Sequence, residues 1–300
     1  MKVTLISYTP DALALLLFTK ATRLAMSPGL LAEIRAWPEE RKAEELAYML
    51  GTIRSSWEFV DYVFFIEDVT RGFTHQLVRH RVGVSFAQQT QRAVHMGGFR
   101  YGTGASVEAA GMLFEYQATM MNIDDSYQAM IRKGVKPQDA RGVLPTNIFT
   151  NIIMKINLRA LNGMMAERLC VKAQGEFQEV ARLLRVATIA AHPWAAPFLR
   201  VHCAATGTCL FANLPMEECP VKPLTYDPAT REAYGGGRPG SLGAIEERWE
   251  TMRAEVQPQP PSRPLPPPSA GTELVRAARD ASGLSEAPSA SPGAVEEPTP

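Results

Sequence analysis

Hydrophobic positions fall in two rhythms along the chain. Met1 to Tyr8 alternates apolar and polar residues, which predicts an opening strand. Val60 to Val69 is dense in β-branched and aromatic residues and predicts a second strand. Tyr116, Met120, Ile123, Tyr127 and Met130 recur at steps of four and three, the stripe of a helix that should end near Gly134. Pro137 is suited to open the next helix. Phe177, Val180, Leu184, Ala187 and Ala191 mark a further helix, stopped by Pro193. Gly235 to Gly237, with Pro239 and Gly240, reads as a mobile loop, and Ala244 to Ala254 as a short polar helix. These stripes are core or subunit contact. No internal repeat and no glycine-rich dinucleotide fingerprint is present.

The pattern changes near residue 257. Residues 257–300 hold 11 of the chain's 23 prolines, many Ala and Ser, and almost no aromatics. Such a segment has too little apolar surface to order itself, so a disordered tail is expected. The organisation that follows is a folded body over 1–220, a loop and short helix over 221–256, and the tail over 257–300.

Composition narrows the function. Across 300 residues Lys plus Arg equals Asp plus Glu, 31 each, so the formal net charge is zero. A general nucleic-acid binder would be basic, so nucleic acid is not expected as a partner. No apolar run approaches the roughly 20 residues of a membrane span, and the N-terminus lacks a signal peptide's apolar core. A cytoplasmic protein away from membranes is expected. Cys170, Cys203, Cys209 and Cys219 lack a paired C-x-x-C, so buried free thiols are expected and no metal.

The candidate chemistry concentrates between Gln76 and Arg92. Arg79, His80 and Arg81 are followed by a small-residue turn, then Ser85, Gln88, Gln89, Thr90 and Arg92. Guanidiniums this close repel one another unless an anion sits among them, and phosphate is the usual anion. A second block holds Arg141, Gly142, Val143, Leu144, Pro145, Thr146 and Asn147, then Asn157, Leu158, Arg159, Ala160 and Leu161, then Glu167, Arg168 and Leu169. None of the four cysteines precedes a histidine.

Together the two blocks resemble the flavin-dependent thymidylate synthases over about residues 1–215. The resemblance implies an α/β (α+β) fold, with a sheet packed against long helices, working as a homotetramer with shared active sites. It implies FAD as cofactor, with NADPH and methylenetetrahydrofolate as co-substrates, and methylation of dUMP at C5. By the same analogy Arg92 and Arg141 clamp the nucleotide phosphate, with Gln76 and Thr90 completing its shell and Gln88 and Gln89 beside it. Arg168 faces the uracil carbonyls as the catalytic cation. Arg79, His80 and Arg81 line the flavin and folate region, Asn157 and Arg159 lie against the flavin, and Ser55 and Glu58 help hold it. Glu58 sits among Trp57, Phe59 and Val60, where a buried carboxylate would need a partner. His75, His95 and His192 are read as structural.

Departures from the family pattern are local. Three residues, Val82 to Val84, fill a gap that usually holds two. Thr90 replaces a serine, Ala93 a tyrosine, Gly163 an asparagine next to Asn162, and Lys172 a histidine. These changes leave open UMP instead of dUMP, a hydroxymethyl product, or a catalytically silent flavin or nucleotide binder.

Overall fold

The computed structural model describes residues 1–21, 26–27, 29–52, 54–238 and 240–255. These fall in one compact unit. The expected tail lies outside the described residues.

A four-stranded antiparallel sheet is the centre. Its strands are β1 (Lys2–Tyr8), β2 (Asp61–Thr70), β3 (Val84–Gln88) and β4 (Phe149–Asn157), in the order β1-β2-β4-β3. Alternation puts Tyr62, Phe64, Ile66 and Val69 of β2 on one face with Thr150, Ile152, Met154 and Ile156 of β4, all buried. Val69 stays inward because the register shifts between Ile66 and Val69. Asp68 absorbs the shift at φ 55°, a conformation Asp tolerates better than most residues, and Asn151 Oδ1 accepts its backbone N–H at 3.0 Å.

The helices are α1 (Ala12–Lys20), α2 (Leu30–Arg35), α3 (Glu39–Leu50), α4 (Arg71–Leu77), α5 (Ala105–Ala109), α6 (Leu113–Arg132), α7 (Pro137–Ala140), α8 (Leu158–Arg168), α9 (Gly175–Ala191), α10 (His202–Thr206) and α11 (Leu242–Glu255). Helix α9 lies along β1 and β2 and buries Phe177, Val180, Ala181 and Leu184, the face its spacing predicts. Helix α6 ends as expected, with Gly134 at φ 82° and the Val135 N–H reaching back to the Met130 carbonyl. It packs into a second, smaller core of Phe99, Tyr101, Met120 and Ile148. Asn147 joins this core to the chain beyond, donating from Nδ2 to the Gly102 carbonyl at 2.9 Å and to the Tyr116 hydroxyl.

Helix α11 differs from the polar helix expected. Ile245, Trp249 and Met252 are buried, and Glu246 and Glu250 pair with Arg200 and Arg185 at 3.0 and 2.9 Å. Three apolar residues among many charges gave too weak a stripe to announce that face. His192 is structural as read: it is buried, and its Nδ1 lies 3.1 Å from the Tyr62 hydroxyl.

Candidate active site

The site is built around the path β2–α4–turn–β3. Thr70 ends β2 and caps α4: its hydroxyl accepts the Phe73 N–H at 3.0 Å. Glu176, at the start of α9, grips the same residue, accepting the Thr70 N–H at 2.7 Å and its hydroxyl at 2.6 Å. The Arg71 and Gly72 N–H groups donate to the carbonyls of Ile148 and Thr146. The first turn of α4 is thereby fixed against both α9 and the 141–148 segment.

Arg71 was not singled out in the sequence, yet it stands near Arg141. Burial, then the charge of Arg141, pulls its guanidinium pKa below the ordinary value. Two like charges brought together at a half-buried place favour an anion between them. Arg141 is aimed by its Nε, which donates to the Gln138 carbonyl at 3.1 Å. The sequence signal for Arg71 was its place as the first residue of the helix that leads into the Arg-His-Arg triplet.

At the other end of α4, His80 meets Arg168, 88 residues away, with Arg168 Nε 3.4 Å from His80 Nε2. Phe177 walls the pair: Arg168 lies 4.7 Å from its ring centre and His80 packs edge-on to it. Burial, then the Arg168 charge, depresses the His80 pKa, while Glu167 opposes the shift. His80 is therefore held neutral, with Nε2 as acceptor and the proton on Nδ1. That leaves the outer nitrogens of Arg168 as donors, with Glu167 3.6 Å from one of them.

Gly83 explains the longer gap after Arg81. It sits at φ 72°, and a Cβ there would lie 2.4 Å from Asn157 Nδ2. The Asn157 N–H donates to the Gly83 carbonyl at 3.0 Å, while its side-chain oxygen caps α8 by accepting the Ala160 N–H at 2.8 Å. The extra residue is taken up as a left-handed turn laid on a buried asparagine.

Glu58 is ion-paired as expected, though not buried. It is exposed, and its partner is Arg159, at 2.5 Å. A 3-10 turn over Arg54–Phe59 sends Trp57 inward and Glu58 outward, with Phe59 exposed beside it. Ser55 on the same turn is exposed. Asn162 does not stand in for the missing asparagine at 163: it donates to the Phe198 carbonyl at 2.6 Å and accepts from Arg54.

Gln76 Nε2 donates to Gln174, and Gln88 Nε2 to the Thr74 hydroxyl at 3.0 Å. The Gln89 N–H bonds the Asn151 carbonyl. Thr90 accepts the Arg92 N–H at 3.1 Å, and both are exposed. Gln91 is buried, with its Nε2 lacking a hydrogen-bond partner among the described residues. Arg79, Arg81, Arg92 and Arg141 make no ion pair among the described residues. Within one chain the structure thus joins Arg168 to His80, Asn157 to Gly83, and Arg141 to Arg71.

A fold with a motif-bearing α4–β3 path against α8 and α9 has known counterparts. The family model of the thymidylate synthase complementing protein (Thy1) matches residues 4–194. A flavin-dependent thymidylate synthase of Geobacter sulfurreducens is 34% identical over 191 residues, 60% of this chain and 79% of that protein. One from Nitratidesulfovibrio vulgaris is 33% identical over 201 residues, 61% of this chain and 80% of its own. The fold resembles the UMP/dUMP methylase PolB of Streptomyces cacaoi bound with 5-Br dUMP, with TM-score 0.57 and 18% identity over 67% of this chain and 97% of that one. It also resembles the ThyX of Helicobacter pylori complexed with FAD and dUMP, with TM-score 0.51 and 19% identity over 67% of this chain and all of that one. The chain belongs to the Thy1 family, that of the flavin-dependent thymidylate synthases, which are methyltransferase enzymes.

Proposed function

We propose that the protein methylates dUMP at C5 with FAD, taking the one-carbon unit from methylenetetrahydrofolate and reducing equivalents from NADPH. The observation that carries this reading is the Arg168–His80 contact. Motif residues far apart in sequence meet there, and a guanidinium pair suited to a phosphate stands at the other end of α4.

The residues fit a flavin dinucleotide by their donor set. Arg79 and Arg81 present cations to a pyrophosphate, and the buried Gln91 amide has a donor to give. Asn157 and Arg159 flank the Gly83 turn and the Glu58 pair, where a planar ring system would rest. Bound reduced flavin supplies the reducing equivalents. Arg71 and Arg141 hold the nucleotide phosphate, with Gln76, Gln88, Gln89 and Thr90 completing the pocket. Arg168 donates to the uracil carbonyls and stabilises charge that develops there. Neutral His80 orients Arg168 through Nε and adds no second positive charge beside it.

Arg92 belongs to the site of a neighbouring subunit in a homotetramer. Large exposed apolar residues, among them Val82, Phe114, Phe59 and Val186, offer the surface for such assembly.

The deciding experiment is mass spectrometry of products from purified protein with dUMP and UMP in parallel, with folate and NADPH supplied and flavin content measured. Methyl-dUMP formed with NADPH oxidation is expected. A flavin-loaded protein without product would establish a silent binder, and methyl-UMP alone would move the substrate to the ribonucleotide.

A further inference from the structure

All four cysteines of the chain line one cavity of about 210 Å³ behind α8. Cys170 follows α8, Cys203 lies in α10, Cys209 follows α10, and Cys219 precedes a 3-10 turn at Lys222–Leu224. All are free thiols. Cys209 Sγ accepts the Phe211 N–H at 3.4 Å. An amide placed this way belongs to the outer shell that orients metal-bound sulfur.

A second observation agrees. Lys222 lines the same cavity and is buried, 3% exposed. Its ammonium donates to the carbonyls of Phe211, Ala212 and Leu214 at 2.9, 2.6 and 2.6 Å and lies 4.7 Å from the Tyr234 ring centre. It makes no ion pair among the described residues. A buried cation without a carboxylate is costly unless other negative charge lies near.

We propose that Cys170, Cys203, Cys209 and Cys219 together hold a thiophilic metal centre through four thiolates. Each ligand loses its thiol proton to solvent as its sulfur–metal bond forms, and no cysteine is oxidised. Among the described residues no three His, Cys, Asp or Glu side chains converge on a single-ion position. The four cysteines line one cavity instead. A sulfide-bridged iron cluster accepts four cysteines spread around it, whereas one zinc, with bonds of about 2.3 Å, would have to draw them inward. Iron with sulfide is therefore the expected form. The centre would pin the 203–225 segment to the end of α8, two residues from Arg168.

The test is elemental analysis of the full-length protein purified without oxygen, with iron, zinc, acid-labile sulfide and flavin measured per chain. About four iron and four sulfide per chain are expected for a cubane cluster. About one zinc would also establish a four-thiolate centre, in the single-ion form. In either case Cys209→Ser and Cys219→Ser should each lose most of the metal. Wild-type protein carrying under about a tenth of a metal per chain, before and after anaerobic reconstitution with iron and sulfide or with zinc, overturns the proposal, as does metal retained in both variants. The wild-type measurement decides the matter even where a variant fails to fold.

Discussion

Replacing Gly83 with alanine should strain the protein twice. At φ 72° a Cβ costs about 1–2 kcal/mol from backbone crowding alone. That Cβ would also lie 2.4 Å from Asn157 Nδ2 and 2.8 Å from its Cγ. Asn157 cannot yield freely, because its Oδ1 caps α8, and losing such a cap costs about 1 kcal/mol. The total is about 2–3 kcal/mol. Gly98 provides the control: it sits at φ 71° with nothing within 4 Å of its would-be Cβ, so Gly98→Ala carries only the backbone cost. The difference between the two variants, about 1 kcal/mol, corresponds to roughly 2–4 °C in Tm for a body of this size. Thermal unfolding of both flavin-loaded proteins reads it, and flavin titration should show weaker binding for Gly83→Ala alone. Equal Tm values with unchanged flavin affinity would refute the Gly83–Asn157 contact and its link to the cofactor.

Three more outcomes follow from the site. Arg71→Ala and Arg141→Ala should each weaken dUMP binding by about 1.5–3 kcal/mol, read by isothermal titration; unchanged affinity in both places the phosphate elsewhere. Arg168→Ala should lower turnover at saturating nucleotide beyond any change in KM, while flavin stays bound; normal kcat removes its role at the base. The His80 pKa lies below its ordinary value of 6.5, so the stability it contributes is full above that value and is lost as pH falls through the depressed value. Protonation there also places a second cation against Arg168, so wild-type turnover should drop on the acid side. His80→Gln should flatten that limb, and an unchanged profile would refute the coupling.

The local rhythm of the chain was enough to place β1, β2, α6 and α9, because side-chain period follows directly from backbone geometry. Gly134 and Pro137 announced their boundaries, since each acts through its own φ preference. The spacing of the two motif blocks carried the resemblance to the family, and the clustered guanidiniums pointed to an anion. Pairings between distant segments were not legible. Nothing near Arg71 in sequence names Arg141, and nothing near His80 names Arg168; sheet order and the packing of α8 and α9 decide both. The outward turn of Glu58 came from a 3-10 geometry that apolar neighbours disguised. The buried face of α11 appeared only once Arg185 and Arg200 lay opposite its acids. The four cysteines, scattered in sequence over residues 170–219, became neighbours only when the chain after α8 folded back behind it. Contacts of that range depend on the whole core being assembled, and a linear pattern records only each residue's own preference.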